Sequence, residues 1–118
     1  MANVRFNYLY RDAANYKAFG EVVFANPDNL AIKSADRRLC ARFDSGEFFI
    51  ASQLGIPEVF LWKQGEFPLD VADHCFHEFS GLEETDDPAT DSRTLAEFVR
   101  AVELVTHWAV FDPAGMWP

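Results

Sequence analysis

A chain of 118 residues that is 49% hydrophobic and 15% aromatic holds enough apolar side chain for one packed core, which excludes a disordered chain and removes the need for disulfides or a structural metal. Its formal net charge of −9 is concentrated, because residues 44–91 hold twelve acids and a single base, Lys63, a local balance of −11. Such a field repels phosphate backbones and anionic lipid, so direct nucleic-acid and membrane-surface binding are not expected, whereas a basic protein partner or a cation is compatible with it.

The first strand is expected at Val4–Tyr10, where period-two alternation puts Phe6, Tyr8 and Tyr10 on one face. A polar loop containing Arg11, Asp12 and Asn15 follows, and the β-rich stretch from Phe19 to Ala25 reads as a second strand antiparallel to the first. Asn26-Pro27 has the form of a helix start, with Asn as N-cap and Pro at the first helical position. The helix that follows carries Ile32, Ala35, Leu39 and Phe43 on one stripe and Lys33, Arg37, Arg38 and Arg42 away from it, and Gly46 suits a left-handed position past its end.

Further short strands are expected at Glu47–Ser52 and at His74–Leu82, and Val59–Trp62 is a second short apolar run that is either a buried strand or a turn; Gly55-Ile56-Pro57 interrupts the chain after the first strand, and Gly65 and Pro68 mark the next loop. Glu83–Pro88 reads as a solvated acidic loop. Thr94-Leu95-Ala96-Glu97 is a capping-box pattern, and the last helix is expected to run from there to Phe111, stopped by Asp112-Pro113. The order β-β-α-β-β-β-α implies one α+β domain over residues 1–118, a mostly antiparallel twisted sheet with two helices packed on one face and a C-terminal tail, 112–118, that is free to flex.

The residues that carry chemistry are few. Asp70–Glu78 concentrates carboxylate, imidazole and thiol donors, and Asp73, His74 and His77, assisted by Asp70 or Glu78, are the candidate ligands of a divalent metal such as zinc. On a helix these groups share a face; on a strand Cys75 and His77 point one way and His74 and Glu78 the other, so a strand after His74 splits the set. A Cys–His pair could serve as nucleophile and base, yet the surrounding acids raise a thiol pKa rather than lower it. Asp12 and Asn15 are candidate ligand-binding residues, because loops on a rigid scaffold often hold ligands, although the same residue types also build turns by bonding their own backbone. No phosphate-binding glycine loop and no GxSxG motif is present.

In the last helix, Leu95, Phe98, Val99, Val102, Val105 and Ala109 form the core stripe, and Leu104, Trp108 and Phe111 line up on the opposite face. A second apolar stripe needs a cover, either the chain end folding back or a partner, and a symmetric homodimer is the commonest cover.

The stretches YRDAANYKAFGEVVFANP (Tyr10–Pro27), DSGEFFIASQLGIPEVFLW (Asp44–Trp62) and DVADHCFHEF (Asp70–Phe79) resemble a group of small bacterial proteins of the kind carried on mobile integron gene cassettes. The resemblance implies a bacterial, accessory, cytoplasmic protein and carries over no catalytic residue. No run of about 20 apolar residues occurs, Met1–Arg5 lacks the layout of a signal peptide, and Cys40 and Cys75 form no paired motif, which fits free thiols in a reducing cytoplasm. The leading expectation is therefore a binding or interaction module acting as a homodimer. The alternatives are a small metal-binding protein or enzyme at Asp73, His74 and His77, and an acidic decoy that mimics DNA.

Overall fold

The computed structural model describes residues 2–11, 15–59 and 75–110. In chain order it contains β1 (Asn3–Arg11), β2 (Lys17–Phe24), α1 (Ile32–Arg42), β3 (Phe48–Phe49), one 3-10 turn (Ala51–Leu54), β4 (His77–Thr85) and α2 (Leu95–Glu103). The strands form a single antiparallel sheet in the order β2-β1-β4-β3, so β1 lies inside it and is paired on both sides. The fold is the α+β arrangement that the alternation in β1 and the two helical stripes imply.

The alternation of β1 decides which face is the core. Val4, Phe6, Tyr8 and Tyr10 are all buried on the inner face, and β2 adds Val22 and Phe24 to it. In β4 the pairs Asn7–Gly81 and Tyr8–Phe79 leave Ser80 as an extra residue, a β-bulge at which Gly81 takes φ +120°. The bulge breaks the period of two, so Leu82, opposite Phe6, and Phe79, opposite Tyr8, both face the core although they are three residues apart. Over this surface lie Ala35 and Leu39 of α1 and Leu95, Phe98, Val99 and Val102 of α2, all buried. The helices are tied to each other by Arg38, whose guanidinium donates to both carboxylate oxygens of Glu103 at 3.0 and 2.6 Å. These bonds hold the Glu103 carboxyl below its usual range.

Several boundaries differ from the sequence reading. Asn26 does not cap α1. Its side chain instead closes the 26–30 loop, accepting from Leu30 N at 3.0 Å and donating to Leu30 O at 3.0 Å. The helix starts five residues past Pro27, behind Ala31, with no side-chain cap. Gly46, with φ +79°, belongs to the tight turn from Asp44 to Phe48 after the helix has ended at Phe43, not to a helix cap. The strand expected at 47–52 shrinks to β3 before the 3-10 turn, and β4 starts at His77 rather than His74. Val59 lies in no strand, and Phe60–Trp62 fall outside the described residues.

The acidic segment is likewise not a plain solvated loop. Glu83–Thr85 extends β4, and Glu83, Asp87 and Glu21 converge on Arg5 on the outer face of the sheet. Arg5 donates to Glu83 at 2.7 Å and to Thr85 at 3.0 Å, and its Nε forms an ion pair with Glu21 at 2.5 Å rather than an aligned hydrogen bond. The Arg5 hydrogen bond holds Glu83 below its usual pKa.

The capping box forms as read. Thr94 Oγ accepts from Glu97 N at 3.1 Å, and Glu97 accepts from Thr94 N at 3.0 Å. The helix, however, ends at Glu103 rather than Phe111. Val105 and Thr106 are β-branched and His107 is a poor helix former, and Gln53 grips the chain just beyond. Its amide donates to His107 O at 3.1 Å and accepts from Ala109 N at 2.8 Å. Trp108 turns back onto Phe43, ring centroids 6.2 Å apart, and its indole N–H donates to Arg42 O at 3.2 Å, satisfying a carbonyl at the end of α1.

Gly20 faces Tyr8 across the β1–β2 pair, and a Cβ there would lie 2.8 Å from both the Tyr8 ring and Val59 Cγ1. Both neighbours are held, so the ring cannot swing away. Gly20→Ala is expected to lower the unfolding free energy by about 1–3 kcal/mol in denaturant titration; an unchanged midpoint would show that the Tyr8 ring is loosely seated.

Candidate functional site

His77 is the one member of the expected metal triad within the described residues; Asp73 and His74 lie outside them. Pairing with Phe49 places its side chain on the inner face, where it is 1% exposed. Its ring sits among Tyr8, Tyr10 and Phe49 at centroid distances of 6.0, 5.8 and 6.1 Å. Nε2 accepts a hydrogen bond from Val59 N at 3.0 Å, so that nitrogen carries no proton and its lone pair is already used. Tyr8 does a parallel job, its hydroxyl donating to Pro57 O at 2.6 Å, and burial pushes its pKa up to about 12. Together His77 and Tyr8 fasten the 57–59 segment over the inner face. Among the described residues no group of three or more His, Cys, Asp or Glu side chains is placed to hold a metal.

The other sequence candidates separate in the same way. Asn15 is exposed with φ +68°, and its side-chain oxygen accepts from Arg11 at 2.7 Å, the work of a residue that shapes a turn. Asp12 lies outside the described residues. Glu78, the proposed auxiliary ligand, accepts from Arg11 at 3.1 and 3.3 Å, and Asp70 lies outside the described residues. Cys40 donates to Asp36 at 3.4 Å, and burial with that carboxylate pushes its thiol up to about 11, away from nucleophile chemistry. Leu104 is the C-cap of α2 and is 65% exposed, whereas Trp108 stands beyond the helix against the core. The helical stripe on which Leu104, Trp108 and Phe111 were aligned is therefore not formed, and Phe111 lies outside the described residues.

Two open depressions are lined by described residues. One, of about 440 Å³, runs along α2 between Asp28 and Leu104. The other, of about 400 Å³, lies on the outer face between Arg5, Asn7, Phe19, Glu21 and Glu83. Arg5 is the cation in the second, and its charge is already met by three carboxylates, which leaves nothing to attract an anion.

What the sequence reading missed is the free edge of β2. At its C-terminal half this edge is covered. Val23 N donates to Thr90 Oγ at 2.9 Å, Thr90 N donates to Val23 O at 2.9 Å, and Leu95 N donates to Ala25 O at 2.8 Å. These bonds show that the odd-numbered residues of β2 direct their backbone groups away from β1. In an antiparallel strand the direction alternates, so Lys17, Phe19 and Glu21 also face outward. Among the described residues nothing pairs with their outward amides and carbonyls. On this open stretch Phe19 is 73% exposed, and Tyr16 beside it is 70% exposed. An unpaired edge bearing a bare aromatic ring is a template for another strand.

No family model, no curated protein and no solved structure matches this chain.

Replacing His77 by Ala is expected to leave a cavity and an unpaired Val59 N–H, lowering stability by about 2–4 kcal/mol. A thermal melt of His77→Ala that superimposes on the parent's would show that the Val59 bond holds nothing.

Proposed function

We propose that the protein is a non-catalytic binding module that works by associating with a second copy of itself in the cytoplasm. The observation that carries this reading is the bare edge of β2, where Phe19 is exposed beside backbone groups with no described partner. A soluble chain gains by covering both at once, since burying the ring removes apolar area from water and pairing the edge satisfies its N–H and C=O groups. Self-association also accords with the chemistry of the other polar side chains. His77, Tyr8, Asn15, Glu78 and Arg5 are each engaged in holding the fold. Cys40 and Cys75 form no disulfide, in keeping with a reducing compartment, and no described helix is long and apolar enough to cross a membrane.

A chain of net charge −9 repels its copy at low ionic strength, so association is to be measured near 0.15 M salt, where the screening length is about 8 Å. Sedimentation equilibrium of the full chain from about 1 to about 100 µM should show a monomer–dimer equilibrium with a midpoint in the micromolar range. A single species of monomer mass across that range contradicts the reading.

A further inference from the structure

We infer that two copies pair β2 to β2, antiparallel, about a two-fold axis that passes through Phe19; this rests on the reading of the protein as a self-associating module. Among the described residues nothing covers the β2 edge at 17–21, whereas Val23 and Ala25 are engaged by Thr90, Asp91 and Leu95. At the other end Asn15, at φ +68°, turns the chain out of the strand. A short edge closed at both ends admits few registers.

Within this stretch the outward backbone groups belong to Lys17, Phe19 and Glu21, so the open edge is self-complementary about Phe19, with opposite charges two residues to either side. An antiparallel pairing centred there sets Phe19 against the second copy's own Phe19, and Lys17 of each copy against Glu21 of the other. Three facing pairs at two bonds each give about six backbone hydrogen bonds. The two exposed rings cover each other, and both flanking pairs join opposite charges, the arrangement that stabilises cross-strand neighbours. Moving the register by two residues toward either end puts Phe19 opposite a charge and brings the partner strand against either the Thr90 loop or the turn at Asn15. The charge pattern therefore selects one register as well as one partner.

Lys17 makes no ion pair with any described residue, so it is available to the second copy. Glu21 already meets Arg5 and remains 60% exposed, and Arg5 keeps Glu83 and Asp87 when Glu21 is shared. The two four-stranded sheets would join into one continuous sheet. In such a dimer the edge of β2 no longer invites other chains, which is how a closed two-fold pairing avoids open-ended stacking.

Phe19→Pro removes the central outward N–H without touching the bonds to β1, a change that edge strands tolerate. It is expected to be a monomer with the parent's circular dichroism spectrum. Lys17→Glu and Glu21→Lys each set like charges against one another at two places, and each alone is expected to weaken the dimer roughly tenfold. Mixing the two variants restores both opposite-charge pairs, so the heterodimer should form more tightly than either variant's homodimer, and this comparison stands even if the proline variant fails to fold. A folded Phe19→Pro that remains dimeric, or a mixture that associates no better than its components, overturns the β2 pairing while self-association through another face survives. A parent that is monomeric throughout overturns both.

Discussion

The ring of Phe6 is the point through which every layer of this structure is connected. It lies on β1, the inner strand, and touches Phe79 of β4 at 5.1 Å, Phe98 of α2 at 5.2 Å, Phe49 of β3 at 5.7 Å, its own neighbour Tyr8 at 5.6 Å and Phe43, at the end of α1, at 6.4 Å. Burying one such ring contributes about 2–3 kcal/mol, and each well-oriented aromatic pair adds about 0.5–1.5 kcal/mol. Four of these five neighbours come from four other segments of the chain, which makes the position of Phe6 a joint constraint on the sheet and both helices. Because β1 must sit in the middle to satisfy it, β2 and β3 are driven to the edges. The edge of β3 is two residues long and gives way to a 3-10 turn, whereas that of β2 is eight residues long and, among the described residues, only its last part is covered. The exposed stretch at 17–21 is thus a consequence of how the core is built.

The acidity of the chain is managed by a few cations placed where carboxylates converge. Arg5 gathers Glu21, Glu83 and Asp87, Arg38 clamps Glu103, and Arg93 binds Asp91 at 2.8 Å while its guanidinium lies over the Phe98 ring at 5.2 Å. The Arg93 hydrogen bond holds Asp91 below its usual pKa, so this pair stabilises the fold above the unfolded carboxylate value, near 3.9, and its contribution is lost as pH falls through the lower folded value. Exposed pairs of this kind contribute little singly. Their main effect is to fix the outer face of the sheet and the 90–94 loop, and so to define where the open edge of β2 begins.

The features that depend on local chemistry were readable in the sequence. The alternation Val4-Phe6-Tyr8-Tyr10, the buried pairs of α1 and α2 and the reciprocal bonds of Thr94 and Glu97 all follow from side-chain period and capping chemistry within a few residues. Features that depend on distant partners were not. Just past the end of α2, His107 and Ala109 are gripped by Gln53, more than fifty residues away, although the run Val105-Thr106 was a local hint. Asn26 could cap a helix or close a loop, and the position of Leu30 decides between them. The bulge at Ser80 gives Phe79 and Leu82 a spacing of three, which imitates helical periodicity inside a strand. Of the expected sites, His77 became a core residue because β4 begins there and its neighbours are aromatic. The edge at Lys17, Phe19 and Glu21 was invisible for a different reason. The sequence shows a strand, but only topology shows which side of it is left bare.

In the proposed β2 pairing, the outward amides of Lys17, Phe19 and Glu21 are open in one copy of the chain and paired when two copies meet. Amide hydrogen exchange, followed residue by residue at low and high protein concentration, reads this directly. These three amides are expected to exchange as exposed backbone in dilute solution and to become protected together as concentration rises, while the inward amides of Ala18, Gly20 and Val22 stay protected throughout. Exchange at Lys17, Phe19 and Glu21 that is the same at every concentration would contradict the pairing.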